Sequence, residues 1–183
     1  MANDWIDGIL SFWFEEIGPK GWFSGGEALD RTIRQRFLAL YERLSAELPK
    51  EAAEDARAAL ATVILFDQFP RNMFRGTARA FATDDLAMRI AREAIDRRLD
   101  EKLSKEERQF LYMPFQHSEV LADQEHAVML FKSLGDEESL RYAVEHRDIV
   151  QRFGRFPHRN RALGRASTRE EEAFLEDHKG FGQ

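Results

Sequence analysis

The chain has no cysteine among its 183 residues, which excludes disulfides and thiolate-held metal sites. No run approaches the roughly 18 apolar residues of a membrane span. The first residues, Met1 to Trp5, lack the basic region and long apolar run of a signal peptide. No stretch alternates apolar and polar residues between hairpin turns, so strands are not expected. There is no Gly-x-Gly-x-x-Gly, no Walker loop, no His-Glu-x-x-His and no Gly-x-Ser-x-Gly elbow. Classical nucleotide folds, zinc proteases and serine hydrolases therefore gain no support, and neither a cofactor nor a metal is expected. Positive charge is also in short supply: 27 Lys and Arg against 33 Asp and Glu give a net charge of -6. Such a surface as a whole should not attract nucleic acid or an anionic membrane. A cytoplasmic protein fits these limits.

What is present is helical periodicity. Residues 1–183 fit one all-helical domain, large enough to bury roughly 70% of its unfolded surface. Ile6, Ile9, Leu10 and Trp13 recur at helical spacing, with Asn3 or Asp4 as cap and Gly18, Pro19 and Gly21 as the stop. A second helix covers about 27 to 48, striped by Leu29, Ile33, Phe37, Leu40, Tyr41 and Leu44. An alanine-rich third helix carries Leu60, Val63 and Ile64, and Thr83 is placed to cap a fourth. Ser104 with Glu107 has capping-box spacing. The run that follows extends to about Leu134, with Pro114 either kinking it or opening a new helix. Gly135 is placed to cap its end. A helix over about 136 to 152 stops at Gly154. Thr168 with Glu171 opens a short terminal helix. The result is an all-α architecture of seven to nine helices with short connections.

Two short segments echo one another. Asp67-Gln68-Phe69-Pro70-Arg71-Asn72 and Gly154-Arg155-Phe156-Pro157-His158-Arg159-Asn160 both place Phe-Pro after a helical run, then present a guanidinium and an amide. Proline restricts the residue before it, so each reads as a rigid corner at a helix end. The echo fits two related halves, or merely two similar turns; no exact repeat of about 34 residues is present. Together with Pro114-Phe115-Gln116-His117-Ser118-Glu119, Phe12-Trp13-Phe14, Phe81-Ala82-Thr83-Asp84 and Asp123-Gln124, these segments make the chain resemble the bacterial family known as domain of unknown function 924. The resemblance covers nearly the whole chain. It implies stacked antiparallel helical hairpins of the tetratricopeptide-like kind, and carries over no catalytic residues.

Arginine clusters mark the candidate site. Eight lie between Arg141 and Arg169, with only Glu145 and Asp148 as acids in that interval. Arg71, Arg75 and Arg79 add a second set. Arginine's planar fork suits carboxylates and phosphates. The structural alternative is that these arginines pair with the acidic excess or bind helix-end carbonyls. His117, Glu119 and Asp123 read as one helical run, which puts Glu119 and Asp123 on one face and His117 on another. That geometry opposes a three-ligand metal site and makes His117 and His146 semi-buried hydrogen-bonding groups.

Two functional readings follow. In the first, a groove binds a peptide or a small anionic ligand. Arg71, Asn72, Arg155, Arg159 and Asn160 hold its oxygens, and Asp123, His117 and His146 orient polar atoms. In the second, an enzyme acts on a small polar substrate. His117, His146 or His158 is then the base, and Glu119 or Asp123 its partner.

Overall fold

The computed structural model describes residues 4–22, 25–178 and 180. Asn3 as a cap, Phe23 of the N-terminal aromatic group and the fraying expected at the last few residues lie outside or largely outside that range. Helix α1 (Asp4–Leu10) runs directly into a π-helical stretch, Ser11–Ile17. Gly18, at φ +62°, breaks the path before the short α2 (Gly18–Trp22). Then come α3 (Glu27–Ala46) and α4 (Ala56–Val63). Helix α4 passes through a second π stretch, Ile64–Gln68, into α5 (Phe69–Met73). The remaining helices are α6 (Asp84–Asp96), α7 (Lys105–His117), α8 (Leu121–Ser133), α9 (Glu137–Phe153) and α10 (Arg169–Asp177). With contiguous pieces joined and the single turn of α2 set aside, there are eight helical rods among the described residues, and no strand.

The rods stack as antiparallel hairpins in a tetratricopeptide-like manner: α6 packs on α4 and α7, α7 on α8, and α8 on α9. Both capping boxes form, Ser104 with Glu107 and Thr168 with Glu171. Asp55 caps α4, accepting a hydrogen bond from the Ala58 amide at 2.9 Å. Alanines at 58, 59 and 61 are fully buried and let neighbouring helices approach closely. The centre is aromatic. Phe69 is buried against Phe12, Trp13 and Phe37, and Trp13 meets Phe110 edge-on at 5.5 Å. Such tilted and edge-on pairs each add about 0.5–1.5 kcal/mol beyond area burial.

Three sequence expectations need correction. The Asp67–Asn72 segment is no corner: the helix continues through Pro70 to Met73. Proline brings no amide to the Phe66 carbonyl one turn earlier, and the Thr83 hydroxyl donates to that carbonyl instead, at 2.7 Å. Thr83 thus sits at the N-cap of α6 but its side chain caps nothing there. The run from Ser104 to Leu134 is two helices. Pro114 sits inside α7, and the chain turns at residues 118–120 without glycine or proline. Side chains make that turn. The Ser118 hydroxyl donates to Asp123 (2.7 Å) and accepts from the Val120 amide, while the Gln124 amide donates to the carbonyls of Gln116 and Ser118. His117, Glu119 and Asp123 therefore belong to a helix end, a connection and a new helix, and their assumed shared register does not exist.

Candidate functional site

The two Phe-Pro segments meet at Asp84, the first residue of α6. Arg71 of α5 grips its carboxylate with two hydrogen bonds, 2.9 and 3.0 Å. Arg159, from the 3-10 turn Pro157–Arg159, reaches the same carboxylate at 3.6 Å. Both arginines are buried, at 8% and 6% exposure. Phe81 covers them: its ring centre lies 5.6 Å from the Arg71 guanidinium and 4.7 Å from that of Arg159. Phe156 lies against Arg159 at another 4.7 Å. The Nε atoms of both arginines are buried without an acceptor among the described residues.

Behind this node, fully buried Asp67 receives His117. Nδ1 of the imidazole lies 2.7 and 2.9 Å from the two carboxylate oxygens. Gln68 also donates to Asp67, and Arg71 donates to the Asp67 carbonyl. His146 of α9 stands with its ring 6.3 Å from that of His117, its Nδ1 hydrogen-bonded to the Tyr142 carbonyl at 2.7 Å. Beside the node opens a cavity of about 380 Å³, lined by Arg71, Arg75, Phe81, His158 and Arg161 together with small residues. No carboxylate lines it. Arg75 is engaged by Asp30, whereas exposed Arg161 makes no ion pair among the described residues. His158 hydrogen-bonds His178 (2.9 Å), and His178 reaches Glu145 (2.8 Å).

The other nominated residues lie elsewhere. Arg155 is paired with Glu171, at 2.6 and 2.8 Å. Asn160 hydrogen-bonds Ser167 and Arg165. Glu119 accepts from the Phe156 amide and from Arg165, which locks the second corner rather than lining the cavity. Asp123 is held by Arg92 and Ser118. Asn72 donates to the Gln68 carbonyl and accepts from Arg75. Arg79 pairs with Glu42.

Residues 9–179 match the family described as bacterial protein of unknown function (DUF924). The chain belongs to that family. It is similar to the solved structure of Protein of Unknown Function ATU0120 from Agrobacterium tumefaciens, with 44% identity and a TM-score of 0.89 over 94% of this chain and 97% of that one. No curated protein matches.

The electrostatics of this DUF924 chain follow from burial. Burial pushes the Asp67 carboxyl up, but His117 and Arg71 outweigh it and hold the group below the usual carboxylate range. Burial, reinforced by Arg71 and Arg159, pushes His117 down despite its carboxylate partner. Asp67 is thus the anion, and neutral His117 donates its Nδ1–H to it, leaving Nε2 as the basic nitrogen. His146 is pushed down to about 3, by burial first and then by His117. Arg159 falls to about 10, again by burial and then by the charge of Arg71. Of the two guanidiniums, Arg159 is the poorly compensated one.

Sequence reasoning passed over Asp67, Asp84, Phe81 and Arg161. One signal for Asp67 was there: it is the lone acid in the apolar run from Ala58 to Phe69.

Proposed function

We propose that this chain binds a small anionic molecule, carrying a carboxylate or phosphate, at the cavity beside Arg71, Asp84 and Arg159. The observation that carries this reading is Arg159. Its guanidinium is buried between two phenylalanine rings, holds a single long ion pair, and leaves Nε without an acceptor among the described residues. A desolvated cation with unmade hydrogen bonds is costly unless an anion completes it. The cavity wall points the same way, bearing Arg71, Arg75 and Arg161 and no carboxylate. Its volume of about 380 Å³ suits a small molecule, which favours that ligand over an extended peptide.

A second reading, acid–base catalysis on a small polar substrate, is favoured by the Asp67–His117 pair, in which a carboxylate fixes the imidazole tautomer. Its expected partner changes from Glu119 or Asp123 to Asp67.

Thermal-shift titrations with phosphate and with succinate test the binding reading. A saturable rise in Tm is expected for the intact protein, reduced in Arg161→Ala and absent in Arg159→Met. No rise with any oxyanion ends it.

A further inference from the structure

The Asp67–His117 pair is close enough to Arg159 for the two to respond to one another, and nothing in the binding reading uses it. The groups facing His117 come from four elements: Asp67 from the π stretch, Arg71 from α5, Arg159 from the 3-10 turn and His146 from α9. Among these buried groups and Asp84, the two carboxylates balance the two guanidiniums, and both imidazoles are held neutral. A monoanion seated on Arg159 would supply the compensation that this guanidinium lacks. A dianion brings one negative charge more, into a place where an unmatched charge is expensive.

We propose that the ligand is a divalent oxyanion of the phosphate-monoester type, and that its binding beside Arg159 draws one proton onto Nε2 of His117; this rests on the anion-binding reading above. The sign follows from the neighbours. In the empty site, burial and the two guanidiniums oppose an imidazolium at His117, and only Asp67 favours it. An oxyanion on Arg159 offsets the guanidinium charge and adds its own attraction to that of Asp67, so the cation becomes the preferred form. The proton comes from solvent and no covalent bond changes. Imidazole and dianion become imidazolium and dianion, with Asp67 accepting from Nδ1 throughout. His146 is the weaker candidate for this proton, since its Nδ1 is held by a backbone carbonyl and not by a carboxylate.

Sulfate is the suitable probe, because it is a dianion with no titratable proton of its own near neutrality; acetate is the monoanion control. Long-range proton–nitrogen NMR of histidine-labelled protein at pH 7 reads the protonation of each imidazole directly. Saturating sulfate is expected to convert His117 from a neutral, Nδ1-protonated ring to the doubly protonated form. Acetate is expected to leave it neutral. In His117→Asn, whose amide still offers Asp67 a donor, sulfate should bind at least tenfold more weakly, while acetate binding changes less than twofold. Sulfate that shifts the Phe81 and Phe156 resonances while His117 stays neutral overturns the proton coupling and leaves anion binding standing. Sulfate that shifts none of these resonances and does not raise Tm overturns both.

Discussion

The two Phe-Pro segments share five residue types and behave in opposite ways. The first is a straight passage inside a helix; the second is a true corner, with Gly154 in the left-handed region at φ +70° followed by a 3-10 turn. Each delivers an arginine to Asp84. Arg71 arrives fully compensated, with two hydrogen bonds and a second carboxylate nearby, whereas Arg159 arrives with one contact at 3.6 Å. Local sequence similarity thus specified neither backbone shape nor energetic role. What differs is the context. A π stretch and the Thr83 hydroxyl carry the chain through Pro70, while a glycine and the Glu119–Arg165 lock turn it at Pro157.

The sharpest way to break this contrast is to remove each arginine in turn. Arg71→Ala strands two buried carboxylates and should cost about 3–5 kcal/mol in denaturant unfolding. Arg159→Met keeps apolar packing between Phe81 and Phe156 and removes an under-compensated charge, so stability should be unchanged or higher. Equal losses from the two would erase the distinction. Next in size, Thr83→Val leaves the Phe66 carbonyl without its hydroxyl donor and should lower stability by about 1–3 kcal/mol, with Thr83→Ser recovering most of it. At the second corner, Gly154→Ala forces a side chain into left-handed backbone and should cost about 1–2 kcal/mol, read from the same unfolding curves.

The smallest effect, per step, is with pH. His146 falls from its ordinary 6.5 to about 3 when folded. The unfolded chain therefore binds a proton that the folded chain refuses between those values. Stability attributable to His146 is complete above 6.5 and is lost as pH falls toward 3, by at most about 1.4 kcal/mol per pH unit. His146→Gln should flatten that slope in urea midpoints measured from pH 7 to 4.

The helices were legible in the sequence because their signals are local. The stripe of Ile33, Phe37, Tyr41 and Leu44 and the pairs Ser104/Glu107 and Thr168/Glu171 each lie within a few turns, and each formed as read. The break after His117 was illegible because it uses Ser118, Asp123 and Gln124 as a side-chain turn, with no backbone-breaking residue to announce it. The site was half legible. Arg71, Arg159, His117 and His146 were singled out, but their partners Asp67 and Asp84 were not. Asp84 had a complete local explanation as an acid in the first turn of a helix. Nothing along the chain says that residues 67, 71, 84, 117 and 159 converge, because three-dimensional proximity at such separations has no short-range signature. Arg155 and Asn160 show the reverse: they repeat the chemistry of the first segment but are spent on Glu171, Ser167 and Arg165.

The widened turn at Ile64–Gln68 fixes the angular phase of everything after it. A π turn holds more residues than an α turn, so deleting one residue there would let the rod close into uniform α-helix. Each position beyond would then rotate by about 100°. Arg71 would swing away from Asp84, and Phe69 out of the aromatic centre, without any change in their identities. A one-residue deletion at 64–68 should therefore do more damage than any single substitution on that rod, and the spacing of this stretch is as much a part of the site as the arginine it aims.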